Sequence, residues 1–182
     1  WAALAQAHLG EAAPALAELR RVTAVFKASN FAGPYRVLGL LGEAQRLAGD
    51  FDAALATQAE ALALIGDDPA LMSQRLPVQR EIGLAEVERG HFGAAIAALE
   101  QALAGLRAQQ PHATPERADV LLGLGRAHIA MGSPALALPL LQEADQFWRG
   151  FDASTRGARD AGFWLHRCHE LLGSRAQAGQ AP

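Results

Sequence analysis

The sequence predicts an all-α solenoid in which helical hairpins stack side by side. A short phrase returns in register: Gly-Asp-Phe-Asp-Ala-Ala-Leu at 49–55, Gly-His-Phe-Gly-Ala-Ala-Ile at 90–96 and Gly-Ser-Pro-Ala-Leu-Ala-Leu at 132–138, with a degenerate copy from Gly173. The turn glycines Gly10, Gly49, Gly90, Gly132 and Gly173 stand 39, 41, 42 and 41 residues apart. Seven residues before each full phrase lies a Leu-Gly or Ile-Gly step on an apolar helical stretch: Leu41-Gly42, Ile82-Gly83 and Leu124-Gly125. A fixed period of this size marks stacked units, each too small to bury its own apolar face.

Taken in order, the opening segment 1–29 gives a truncated first helix over 1–9 and a second helix over about 12–28. The next unit, 33–66, carries Leu38, Leu41, Gly42 and Leu47 at helical spacing on its first helix. Gly49 then supplies the left-handed conformation that closes a helix, and Asp50 caps the next. The second helix sets Phe51, Ala54, Leu55, Gln58, Ala61 and Leu62 along the other half of the core. Small residues at Gly42, Ala54 and Ala61 allow close backbone approach.

The unit at 69–109 repeats the plan with Ile82, Gly83, Val87, Phe92, Ala95, Leu99 and Ala102. Asp67-Asp68-Pro69 reads as a helix start with Asp68 as cap. Pro77, eight residues on, either starts the first helix or kinks a longer one, and a separate short turn at 69–75 is favoured. The unit at 114–149 uses Leu121, Leu124, Gly125, Ala137, Leu141 and Ala144. Thr114-Pro115 and Ser133-Pro134 each place a cap before a first-turn proline. A last helix, about 154–173, has no full partner and caps the stack.

These residues resemble the tetratricopeptide repeat (TPR) family. The family's small eighth residue matches Gly42, Gly83 and Gly125, and its Gly-Asp-Tyr turn matches Gly49-Asp50-Phe51 and, more loosely, Gly90-His91-Phe92. Its alanines at positions twenty and twenty-seven match Ala54 and Ala61, Ala95 and Ala102, and Ala137 and Ala144. Two features depart. The eleventh-position aromatic is replaced by Gln45, Glu86, His128 and His169, and the family's 34-residue period is lengthened to about 41. The added seven residues are nearly two helical turns, so helices lengthen without rotating their apolar faces away. The resemblance implies a right-handed α-α superhelix of about four and a half TPR-like hairpins over residues 1–182. Long repeats of this kind occur in kinesin light chains and in bacterial regulatory proteins such as transcription activators and protein kinases.

Composition narrows the function. Sixteen basic and 19 acidic residues give a net charge of −3, without the concentrated basic patch that non-specific nucleic-acid binding requires. No apolar run is long enough to span a membrane. Cys168 is the single cysteine, which excludes an internal disulfide and a cysteine-based zinc site and fits a cytoplasmic, reducing setting. Ala, Gly and Arg, all with GC-rich codons, suggest a bacterial source. Trp1 falls inside a repeat helix, so the chain is expected to be a piece of a larger protein.

In the resembled family the first helices line a concave groove where partners lie. The outward positions here carry Glu43 and Arg46; Arg80, Leu84 and Val87; Leu122, Arg126 and Ile129; and Phe163 and Arg167. Arginines among apolar neighbours suit a carboxylate or an acidic peptide, held by forked hydrogen bonds. The carboxylate clamp of chaperone-binding members is missing: its positions hold Gly39, Leu40 and Glu43, then Arg80, Glu81 and Leu84, then Leu122, Gly123 and Arg126. His166, Cys168 and His169 form a cluster with metal-ligand character, but a packed capping helix explains them better. Gly123-Leu124-Gly125 lacks a dinucleotide loop's third glycine and strand.

The expected function is therefore non-catalytic: a protein-interaction module that binds a protein segment in the groove, with no metal or cofactor. Two alternatives stand beside it. One is an effector-sensing regulatory domain of a multidomain signalling protein. The other is self-assembly through helix ends, where Trp1, Leu4, Phe163 and Trp164 sit.

Overall fold

The computed structural model describes residues 2–28, 33–110 and 112–178. They form helices joined by short turns and, among the described residues, no strand occurs. The chain packs as two compact units, 1–89 and 90–182. In the first, α1 (Ala2–His8), α2 (Ala12–Ala28), α3 (Pro34–Leu47), α4 (Phe51–Ile65) and α5 (Arg75–Arg89) follow one another, with a 3-10 turn over Pro69–Gln74 ahead of α5. The second holds α6 (Phe92–Gln109), α7 (Pro115–Ala130), α8 (Pro134–Asp152) and α9 (Arg156–Ala178).

Within each unit a helix packs on its neighbour in the chain, and first helices also pack on first helices: α1 on α3, α3 on α5, and α7 on α9. This nearest-neighbour packing is the repeat architecture that the 41-residue rhythm predicts.

The turns recur as closely as the sequence does. At Gly49 (φ 83°) the glycine N–H donates to Arg46 O and the Asp50 N–H to Gln45 O, which closes α3 with satisfied carbonyls. The same pair of bonds ends α1, from Gly10 to Ala7 and Glu11 to Gln6, and α7, from Gly132 to Ile129 and Ser133 to His128. Gly173 does not act this way: α9 runs through it to Ala178. A glycine within a helix costs only about 1 kcal/mol relative to alanine. After Gly173 no apolar phrase follows to reward a reversal of the chain.

Caps behave unevenly. Asp50 accepts from the Ala53 N–H, Thr114 from the Arg117 N–H and Asp68 from the Ala70 N–H, as their positions predict. Ser133 makes no side-chain cap bond; its carbonyl takes the N–H groups of Leu136 and Ala137 instead. Pro77 falls in the first turn of α5, which starts at Arg75, so its missing N–H has no intrahelical partner in any case. Pro139 is different. It lies inside α8, where a local reading would break the helix instead of running it through.

The recurring alanines form the seams: Ala54, Ala61, Ala95, Ala102, Ala137 and Ala144 are each at most 1% exposed. Gly42 lies against Gln58, and Gly125 against Leu141. Gln58 and Leu141 hold the same place in their repeats. The glutamine donates there from Nε2 to Gly39 O at 3.1 Å.

Candidate functional site

The predicted site residues fall in two groups, one in each unit, and the two differ in chemistry. In the first unit, α3 and α5 bring Glu43, Arg46 and Arg80 together around Glu81, whose side chain is only 4% exposed. The Arg46 Nε donates to one carboxylate oxygen of Glu81 at 2.7 Å. Arg80 reaches the other, with Nη2 at 2.8 Å and Nε at 3.0 Å. The Arg80 Nη2 also lies 3.7 Å from Glu43, which pairs through its other oxygen with His8 Nε2 at 3.0 Å. An ionic ladder thus joins three successive first helices, α1, α3 and α5.

Burial opposes the charge on Glu81, but the adjacent guanidiniums of Arg46 and Arg80 outweigh it and hold the carboxyl below its ordinary range. For Arg46 burial likewise works against the charge, and attraction to Glu81 overcomes it, so its pKa is raised.

Arg46 and Arg80, which the sequence offers to an outside carboxylate, are found here on Glu81. Both guanidiniums are largely covered and engaged by the chain's own Glu81. The signal for Glu81 was present in the pattern. It lies three residues after Val78 and four before Ala85, a charged side chain on an otherwise buried stripe. A lone carboxylate cannot occupy such a stripe without cations beside it.

Two further positions are not outward. Val87 is 4% exposed and Leu122 is 9% exposed, because an apolar side chain at those positions is covered by packing. Leu84 and Ile129 are half-buried. Leu4 is buried with α1 and forms no end patch, and Trp1 lies outside the described residues.

In the second unit the first-helix face is aromatic. Phe163 on α9 is 62% exposed, and its ring meets that of Trp164 edge-on at 5.4 Å. The Arg126 guanidinium from α7 sits over the Trp164 ring, 5.4 Å from its centre, where the negative face of the ring attracts it. Arg167, one turn beyond Phe163, is exposed and pairs with Glu170 at 3.0 Å. Behind this face, α6, α7 and α8 enclose an open groove of about 410 Å³ with Leu103, Leu124, Leu136 and Leu140 on its walls and His128 and Arg107 as polar groups.

The His166, Cys168 and His169 cluster comes apart. Cys168 is buried and its thiol donates to Pro134 O at 3.1 Å, while both histidines are exposed. Among the described residues no group of three or more His, Cys, Asp or Glu is placed to hold a metal ion. Nor, among those residues, is any helix long and apolar enough to cross a membrane.

Comparison with known proteins agrees with this fold. A tetratricopeptide repeat family model matches residues 80–150. Two solved structures from Podosopora anserina, described as a putative kinesin light chain with nearly identical TPR-like repeats, are similar over 98% of this chain. One shares 22% of residues and the other, a variant form, 21%; each has a TM-score of 0.69, with 87% and 86% of their own length covered. A search of the curated proteins returned no significant match.

Proposed function

We propose that the chain, whose residues 80–150 match a tetratricopeptide repeat model, is a non-catalytic module that takes a protein segment on the exposed faces of its first helices, as such repeats generally serve protein–protein interaction. The family places partners in the concave groove of such helices, and in the second unit that face is α7 with α9. Exposed Phe163 beside Trp164 carries the reading. An aromatic side chain left 62% in water gains from a partner that covers it, and aromatic residues with arginine are the usual anchors of protein interfaces. The ladder of the first unit, closed on itself, supports recognition through apolar contact more than through captured carboxylates. On this reading the segment is bound in the cytoplasm without nucleic acid, membrane or cofactor.

The test is selection from a displayed peptide library. Phe163→Ser, which removes an exposed ring without opening the core, is expected to weaken selected peptides at least tenfold, or by about 1.4 kcal/mol or more. Unchanged affinity places the contact elsewhere.

The groove over His128 favours a second reading, in which an amphipathic effector is sensed. Such a ligand binds only the folded chain, so at a hundred times its Kd it is expected to stabilise that chain by about 2.7 kcal/mol. A panel of amphipathic acids that leaves the melting midpoint unmoved removes this reading. The same samples, followed by light scattering against concentration, decide whether Phe151 and Phe163, both exposed, pair two copies.

A further inference from the structure

We propose that His8 is a proton-operated clasp that sets how firmly α1 is held on α3. Helix α1 packs on α2 and on α3. Two things dock it: an apolar contact, in which Ala7 joins Ala15, Leu19, Leu41 and Ala44, and a polar link from His8 Nε2 to Glu43 at 3.0 Å.

Glu43 is held for this role. Its side chain is 12% exposed and it stands on the ladder through Arg80, so it does not swing away to water. His8, at the last turn of α1, also faces that helix's partial negative end, which favours a cation there. The groups around His8 come from the helices packed near it. From α3 come Glu43 and Arg46, and from α5 Glu81 and, through Glu43, Arg80. Helix α2 turns its apolar Ala15 and Leu19 towards α1, while its Glu18 pairs with Arg21, its Lys27 with Glu60, and Arg20 is exposed.

The hydrogen bond with Glu43 raises the pKa of His8 above its ordinary 6.5; partial burial and Arg46 oppose the shift without cancelling it, and Glu81 adds to it. A raised folded-state pKa means that the added hold is complete below the ordinary value. It is lost as pH climbs through the folded value. Neutral imidazole still donates one hydrogen bond to Glu43, so the clasp loosens without disappearing. As α1 lifts, Leu41, Ala44 and Leu19 lose their cover, which turns a proton signal into exposed apolar surface on the first-helix side of the unit.

Hydrogen exchange of the whole 182-residue chain reads this directly. Amide protection over 2–8, corrected for intrinsic exchange, is expected to fall severalfold between about pH 5.5 and about pH 8, while protection in α4 stays level. In His8→Gln and in Glu43→Gln the fall over 2–8 should vanish. An NMR titration of the unaltered chain gives a readout that needs no variant: the His8 ring should titrate above 6.5, and its value should drop in Glu43→Gln. Protection over 2–8 that is flat with pH, an equal fall in His8→Gln, or a His8 ring titrating at or below 6.5 each overturns the clasp.

Discussion

Glu81→Gln is expected to destabilise the chain by about 3 kcal/mol or more, as removal of one partner from a buried ion pair does. The cost does not come from the lost attraction alone. Arg46 and Arg80, with side chains 16% and 13% exposed, would be left in a largely dry setting, with the Glu43 carboxylate of the ladder 3.7 Å from Arg80. Two guanidiniums that lose the carboxylate between them repel each other and cannot rehydrate without opening the contact between α3 and α5. Urea unfolding followed by circular dichroism measures the loss. A drop under about 1 kcal/mol would mean that the ladder is solvated like a surface pair.

The pH dependence has a definite sign. The carboxyl of Glu81 titrates below its ordinary range in the folded chain, so its contribution is fully present above the ordinary carboxylate value and disappears as pH falls through the folded one. The acid limb of stability should therefore be shallower in Glu81→Gln. It is a separate matter whether the ladder is worth more than apolar residues of the same volume. Buried ion pairs often are not, and Arg46→Met, Arg80→Met and Glu81→Leu together are expected to restore most of the stability that Glu81→Gln removes.

What was legible in the sequence follows from which interactions are local. The left-handed turn at Gly49 needs a glycine and a reversal of the chain, and both are written within five residues, as is the Asp50 cap. The alanine seams repeat at a fixed interval, so three copies vouch for each other. Gly173 has the spacing but not the following apolar phrase, and spacing alone did not make a turn. Pro139 shows the opposite case. Breaking a helix at proline saves roughly 3 kcal/mol of local cost, yet Ala137, Leu141 and Ala144 on the same helix are fully buried, and their packing holds α8 together. The site was legible only as a face. That Arg46 would meet Glu81, or His8 meet Glu43, each 35 residues away, depends on how first helices pack in register. No local pattern shows it.

Gly125→Val should cost about 3 kcal/mol, and the physics that makes it costly can be isolated. A Cβ built at Gly125 falls 2.5 Å from both Cγ and Cδ2 of Leu141 and 3.3 Å from its Cδ1. Real carbon atoms do not approach so closely, and Leu141 has no exposed end to swing aside, being fully buried. Helical propensity pulls the other way, since leaving glycine gains under about 1 kcal/mol, and overpacking at about 1–3 kcal/mol for the first extra carbons outweighs it. Gly39 supplies the contrast. It too lies inside a first helix, but an added Cβ there meets nothing within 4 Å, so Gly39→Ala should stabilise by up to about 1 kcal/mol. The clash is specific to one partner: Leu141→Ala alone should cost about 2–5 kcal/mol, and the double variant with Gly125→Val should lose clearly less than the sum of the two. Strict additivity would show that α7 and α8 move apart as rigid rods and that the glycine seam does not set their separation.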